Sequence, residues 1–123
     1  MMHSIKGYIN GIPYGQDKRR GDVDAPDRWS EQVRAQTSSL EKVISPCILR
    51  ITFYLPPDKF PEDLPFGNDI DNLLKRFCDA LGETIFSNAP GKDSVVISIE
   101  ACKVKVSNNA EAGVQFEIIT TTT

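Results

Sequence analysis

Hydrophobic and polar residues alternate along several short stretches of the chain and recur at helical spacing along two others. The clearest alternation runs over residues 47–55, where Leu49, Ile51, Phe53 and Leu55 occupy every second position. A period of two places these four side chains on one face of a β-strand. Strand patterns of the same kind extend over residues 4–12, 94–106 and 113–120.

Two amphipathic helices are predicted, over residues 26–43 and 69–81, with an extension of the second as far as Phe86 left open. Ser45-Pro46 ends the first, since the residue before a proline disfavours helical geometry. The apolar stripe of the second helix consists of Ile70, Leu73, Leu74, Phe77 and Leu81.

The predicted order is therefore β-α-β-α-β-β, and residues 107–112 are expected to join the last two strands as a hairpin. We predict an α/β (α+β) domain with a single mixed β-sheet covered on one face by two helices. With 123 residues and no internal repeat, the whole of 1–123 is expected to form one domain.

Composition is that of an ordinary globular protein, with 40% apolar and 25% charged residues. The formal net charge of −3 argues against a nonspecific nucleic-acid binder of high affinity, although local patches can still bind phosphates. No apolar run approaches 18 residues, so no membrane partner is expected, and the N-terminus lacks the apolar core of a signal peptide. Three widely spaced cysteines without a CxxC pair are typical of buried, reduced thiols in a cytoplasmic protein.

Acidic residues gather where the second helix is predicted to begin. Asp69 and Asp71 precede Asn72 and Lys75 within seven residues, and Asp93 comes just before the third predicted strand. Carboxylate oxygens are the ligands that Mg²⁺ prefers, so Asp69, Asp71 and Asp93 are candidate metal ligands. Such an ion would polarise a phosphate and lower the pKa of a bound water, while Lys75 would hold a nonbridging oxygen. This layout is typical of a metal-dependent phosphodiester-cleaving site.

A purely structural interpretation of the same residues stays open. Asp69 is a suitable N-cap residue, and Asp71 in the first turn is favoured by the helix macrodipole. Asp71 and Lys75 are four residues apart and can form an ordinary surface ion pair, while Asp79 is more often a solvated charge than a fourth ligand.

The densest basic run, Lys18, Arg19 and Arg20, can bind phosphates, although a solvated loop is the commoner outcome for such a run. Lys103 and Lys105 lie on the same side of a predicted strand and can add to this patch.

The segment from Asp69 to Leu81 resembles the D-x-D-N-x-x-K…D-A-L signature of the RusA-like Holliday-junction resolvases. In that family a turn and a further acidic residue opening a strand follow the helix. Residues 92–96, with Lys103 ten positions after Asp93, resemble that part. The match is specific over about 68–81, fair over 93–106 and only topological before Pro56.

The resemblance implies a Mg²⁺- or Mn²⁺-dependent endonuclease that resolves four-way DNA junctions by paired nicks in recombination and repair. It also implies branched DNA as the substrate and a homodimer as the assembly. The metal-binding carboxylates of the family map onto Asp69, Asp71 and Asp93, and its essential lysine maps onto Lys75.

The chain departs from the family where two consecutive acids are common, because here the pair is Lys92-Asp93. Two further hypotheses therefore accompany the endonuclease. One is a catalytically inactive RusA-like domain that binds nucleic acid or protein, and the other is a dimeric assembly domain whose aspartates only cap a helix.

Overall fold

A computed structural model of the protein describes residues 2–15, 24–57 and 69–121. These residues form four strands and two α-helices. Their bounds are β1 Met2–Asn10, α1 Ala25–Thr37, β2 Cys47–Leu55, α2 Ile70–Gly82, β3 Val96–Lys105 and β4 Gly113–Thr121. Short 3₁₀ turns cover Lys92–Val95 and Asn109–Glu111.

The four strands form one mixed sheet in the order β1-β4-β2-β3. β4 lies antiparallel to both β1 and β2, whereas β2 and β3 are parallel neighbours connected through α2. A parallel pair needs such a crossover, because the chain must return to the same end of the sheet before it starts the next strand. The predicted α+β class, with one mixed sheet and two helices, is confirmed.

The predicted hairpin between the last two strands is wrong. β2 lies between β3 and β4, so residues 107–112 carry the chain past β2 and contain a 3₁₀ turn. Burial explains this order. β4 places Val114, Phe116 and Ile118 in the core, as an inner strand requires, whereas most of β3 is exposed and suits an edge.

The core lies between the sheet and the two helices. α2 contributes Leu73, Phe77 and Leu81, and α1 contributes Trp29 and Val33, all of them almost fully buried. The sheet contributes the inward residues of its strands, which are Ile5, Ile9, Cys47, Leu49, Ile51, Phe53, Leu55, Val114, Phe116 and Ile118. The stripe predicted for the second helix therefore does face the core.

α1 is shorter than predicted and ends at Thr37 rather than near residue 43. The buried Thr37 hydroxyl donates to the Val33 carbonyl at 2.7 Å and is itself 2.7 Å from the Thr84 hydroxyl. Beyond Thr37 the chain turns, and the Val43 amide donates to the Ile85 carbonyl at 2.9 Å. The segment after α1 thus bonds to the segment after α2, which satisfies backbone groups that an extended helix would have used internally.

None of the helices in the described parts of the chain has the length and apolar character needed to cross a membrane.

Gly82, the last residue of α2, offers a test of the packing at this end of the helix. A Cβ atom there would lie 3.7 Å from Lys92 Cβ, an ordinary van der Waals contact. We expect Gly82→Ala to stabilise the fold by about 0.5 kcal/mol, because alanine loses less backbone entropy on folding. Urea unfolding measures this gain. The control is Gly113→Ala, whose Cβ would clash with the Ile9 carbonyl oxygen and should therefore destabilise the protein. A loss of stability in Gly82→Ala would contradict the described contact.

Candidate functional site at the start of helix α2

Asp69 occupies the N-cap position of α2 without capping the helix. Its backbone is extended, with φ −63° and ψ 142°, and its carbonyl accepts from the Leu73 amide at 3.0 Å. The side chain is exposed and makes no cap hydrogen bond. Within the described parts of the chain its carboxylate has no ion-pair partner. The simple capping interpretation of Asp69 therefore does not account for this side chain.

Asp71 and Lys75 lie on the same exposed side of α2 but do not pair with each other. One Asp71 carboxylate oxygen accepts from the Asn72 amide at 3.0 Å. Lys75 pairs instead with Asp79, one turn further on, at 3.5 Å. Both partners are more than half exposed, so this pair contributes well under about 1 kcal/mol and leaves Lys75 free to reorient.

Asp93 lies in the 3₁₀ turn that leads into β3 and is half-buried. Two residues in left-handed conformation precede it, Gly91 with φ 74° and Lys92 with φ 52°. A lysine in this region is strained, because its Cβ crowds the backbone where glycine would not. The strained Lys92 leads directly into the turn that holds Asp93.

Contacts of this turn place Asp93 near the carboxyl-terminal half of α2. Lys92 packs close to Gly82, and the Asp93 charge reaches Cys78. Burial in the first place, and then the carboxylates of Asp93 and Asp79, raise the pKa of Cys78 to about 12. Cys78 is therefore a packed, protonated thiol, which agrees with its predicted role.

The three candidate metal ligands do not meet within one chain. Cys78 follows Asp71 by seven residues, which is about 10 Å along a helix axis. Across the residues that the structure describes, no three acidic, histidine or cysteine side chains gather closely enough to hold a metal ion. Asp69 and Asp71 share one end of α2, whereas Asp93 lies toward the other end.

The start of α2 faces the carboxyl ends of the parallel strands. Its far end contacts the 3₁₀ turn before β3, so α2 runs antiparallel to β2 and β3. Lys103 and Lys105 sit near the carboxyl end of β3, on the helix side of the sheet, opposite Phe53 and Leu55 of β2. In α/β folds, ligands bind at this edge of a parallel strand pair. Acidic and basic candidates thus occupy the same end of the domain.

Arg76 is a structurally important residue of the site that the sequence did not reveal. Its guanidinium donates to the Gly15 carbonyl at 2.7 Å, to the Pro26 carbonyl at 3.3 Å and to the Ser30 hydroxyl at 3.1 Å. A Cβ added to the buried Gly15 would lie 3.0 Å from Asn72 Cβ, so the chain passes tightly against the start of α2. Only the position of an arginine beside an apolar helical stripe hinted at this role.

The basic run Lys18, Arg19 and Arg20, predicted to contact DNA, lies outside the described residues. The described residues that flank it are held by Arg76, since Gly15 precedes the run and Pro26 follows it.

Neither the models of known protein families nor the curated protein sequences give a match to this chain. Its function is therefore inferred from the residues themselves, from the family signature that they resemble and from their placement in the fold.

Proposed function

We propose that this protein is a metal-dependent endonuclease that resolves four-way DNA junctions as a homodimer in the cytoplasm. One observation carries the proposal beyond the sequence signature. Asp69 and Asp71 stand exposed at the start of α2, and the carboxylate of Asp69 does not cap the helix whose N-cap position it occupies. Two exposed carboxylates held close together at one helix end are suited to binding a cation.

The two carboxylates fit a Mg²⁺ or Mn²⁺ ion. Mg²⁺ is commonly held by one or two protein carboxylates, with waters and substrate phosphates completing its shell. Asp69 and Asp71 therefore suffice for the proposed binding, whereas Asp93 lies toward the other end of α2 and does not join them in this structure. A bound ion would supply polarisation of the phosphate and a water of lowered pKa.

In this proposal, basic residues bind and orient the DNA backbone. Lys75 exchanges its weak pair with Asp79 for a nonbridging phosphate oxygen, and so offsets the charge that develops as the phosphodiester breaks. Lys103 and Lys105, at the carboxyl end of β3, contact neighbouring phosphates together with Lys18, Arg19 and Arg20.

Thermal unfolding with and without Mn²⁺ tests the metal site directly. An ion that binds only the folded state stabilises it by RT ln(1 + [L]/Kd), which is about 1.4 kcal/mol at ten times Kd. For a domain of this size the melting temperature should rise by about 5 °C. Asp71→Asn should abolish the rise. Asp79→Asn removes an exposed carboxylate two turns along the same helix, and its melting temperature should still rise with Mn²⁺.

If Mn²⁺ raised the melting temperature of the wild type and of Asp71→Asn by the same amount, the site at the start of α2 would be refuted. No shift at any millimolar concentration, together with intact branched substrates, would refute the endonuclease as a whole.

A specific observation favours a second candidate, a catalytically inactive RusA-like domain that binds nucleic acid or protein. Asp93 lies by the carboxyl-terminal half of α2, and Lys92 stands where the family often has an acid. Binding of a synthetic junction without metal-dependent cleavage would select this candidate over the enzyme.

A further inference from the structure

The face of the sheet opposite the helices carries an ordered pattern of charge. Both α1 and α2 pack on the other face, and the residues that the structure describes place no helix here. The strand registers align the outward side chains in rows that cross the sheet. The central row, called the charged row below, consists of Lys6, Glu117, Arg50 and Glu100, in the strand order β1, β4, β2 and β3.

Charge alternates strictly along the charged row. Lys6 lies 4.0 Å from Glu117, Arg50 lies 4.0 Å from Glu117, and Arg50 lies 3.4 Å from Glu100. The row therefore begins with a cation at one edge of the sheet and ends with an anion at the other. Lys6 and Glu100 are about three-quarters exposed, so the ends of the row remain available to a second molecule.

An alternating row of four charges is complementary to itself under one two-fold rotation. If the axis runs parallel to the strands and passes between β4 and β2, the strands of the second copy lie over those of the first in the opposite order. Lys6 then faces the partner's Glu100, and Arg50 faces the partner's Glu117. An axis across the strands would place like charges over each other, so the row favours the first arrangement. Two sheets packed in this way have aligned strands, which is a common geometry of sheet packing.

The rows on either side match under the same rotation. The rows are Ser4, Ile119, Ile48 and Ser98 on one side, and Tyr8, Gln115, Thr52 and Cys102 followed by Asn10, Gly113, Tyr54 and Val104 on the other. Ile119 comes to lie over the partner's Ile48, and Gln115 over the partner's Thr52. Tyr8 covers Gly113 within each copy, because its hydroxyl oxygen lies 2.7 Å from the position that a Gly113 Cβ would take.

We propose that this open face is the homodimer interface, in which two copies stack sheet to sheet about an axis parallel to the strands. The inference deepens the homodimer of the proposed function and rests on it for the expectation of self-association. The contact surface itself is assigned from the charge pattern of this chain. Its test measures association rather than cleavage, so the two proposals can fail separately.

Charge balance favours a second copy over a nucleic acid on this face. The concavity at its centre, about 640 Å³, is lined by both cations and both anions of the charged row. A polyanion would meet Glu100 and Glu117 together with Lys6 and Arg50 and would gain little net attraction. A copy of the same face meets opposite charge at every position of the row.

The size of the face predicts a dimer of moderate affinity. Four strands about 4.8 Å apart and about 30 Å long present roughly 570 Å² per copy. The dimer would bury roughly 1,100 Å² in total, at the lower end of specific interfaces. We expect a dissociation constant of about 10 μM that rises with NaCl, because the charged row is screened.

Analytical ultracentrifugation of two charge-reversed variants tests the interface. Lys6→Glu with Arg50→Glu makes the row entirely negative, and Glu100→Lys with Glu117→Lys makes it entirely positive. Each variant alone should dissociate at least about 100-fold more readily than the wild type, because like charges face each other. Mixed in equal amounts, the two variants should form a heterodimer. All four positions lie outside the core, and circular dichroism checks that both variants are folded.

A second measurement uses the unmodified chain. Cys102 is exposed on this face, whereas Cys47 and Cys78 are buried. Labelling of Cys102 by a thiol reagent should slow as protein concentration rises through the dissociation constant, while the two buried cysteines stay unreactive at every concentration.

The proposal is overturned by any of three results. The first is a wild type that stays monomeric up to about 1 mM protein. The second is a dimer that persists in both variants, and the third is a mixture of the two variants that does not associate. Loss of DNA binding in the variants of a monomeric wild type would instead assign the face to nucleic acid.

Discussion

Cleavage of a synthetic four-way junction in Mg²⁺ should fall by at least about 100-fold when Asp71 is replaced by asparagine. Loss of a residue that only supports a metal ligand commonly costs 10- to 100-fold in activity or affinity, so loss of a ligand itself should cost more. The amide keeps the shape of the side chain and one oxygen but removes the negative charge. Single-turnover cleavage rates with saturating enzyme measure the effect on the reaction separately from binding.

The fold should survive this substitution. Asp71 is exposed, and its carboxylate accepts one hydrogen bond, from the Asn72 amide at the helix start. Loss of its charge near the helix N-terminus costs about 0.3–1 kcal/mol, which leaves most of the stability of an ordinary domain. Junction binding, measured in Ca²⁺ by gel shift, should change much less than the cleavage rate.

Asp79→Asn is the matched control for cleavage. Asp79 lies on the same exposed side of α2 and pairs with Lys75, so its replacement removes equal charge without touching the proposed ligands. Its cleavage rate should stay within about threefold of the wild type, since an exposed pair contributes little. Equal rates in the wild type and both variants would show that catalysis does not use the start of α2.

The hydrophobic pattern of the sequence predicts those strands and helices whose buried face is determined by residues close together in the chain. The sequence predicts β2 over residues 47–55, and the structure has the same bounds. β2 lies between β4 and β3, and both neighbours require its alternate residues to face the core. α2 begins and ends one residue later than predicted, at Ile70 and Gly82. When a helix packs on one sheet, the apolar stripe that faces the core can be predicted from the sequence.

Pairing between distant strands could not be predicted in the same way. The sequence separation between β3 and β4 favoured a hairpin, yet β2 lies between them. The choice depends on which strand is apolar enough for an inner position, and that comparison involves the whole sheet. The early end of α1 has a similar cause, since Thr37 and the chain after it bond to residues more than forty positions away.

Only the local arrangement of the candidate site follows from the sequence. The placement of Asp69, Asp71 and Lys75 on one helix follows from their spacing, and the structure has them at its exposed start. The position of Asp93 depends on the direction in which α2 crosses the parallel strands, which no local pattern fixes. The support that Arg76 gives to Gly15 and Pro26 joins three separate segments and likewise needs the fold.

Phe77→Ala is expected to cause the largest loss of stability among single substitutions in α2, about 3–5 kcal/mol. The Phe77 side chain is fully buried. Its ring lies 6.0 Å from that of Phe53 on β2, nearly perpendicular to it, and 5.9 Å from that of Phe116 on β4. Such edge-to-face contacts add to the energy of burial, and removal of the ring leaves a cavity where the helix meets both central strands. The melting temperature should fall by about 15 °C.

Two further variants separate cavity formation from other causes of this loss. Phe77→Leu retains most of the buried volume and should cost less than half as much. Leu74→Ala removes a side chain of the same helix that is only half-buried, and should cost about 1–2 kcal/mol. Urea unfolding of the three variants should therefore rank Phe77→Ala as the least stable by at least about 1 kcal/mol. If Leu74→Ala proved as damaging as Phe77→Ala, α2 would pack on the sheet through a different face. Asp71 and Lys75 would then no longer lie on its exposed side, and the placement of the candidate site would fall with that of the helix.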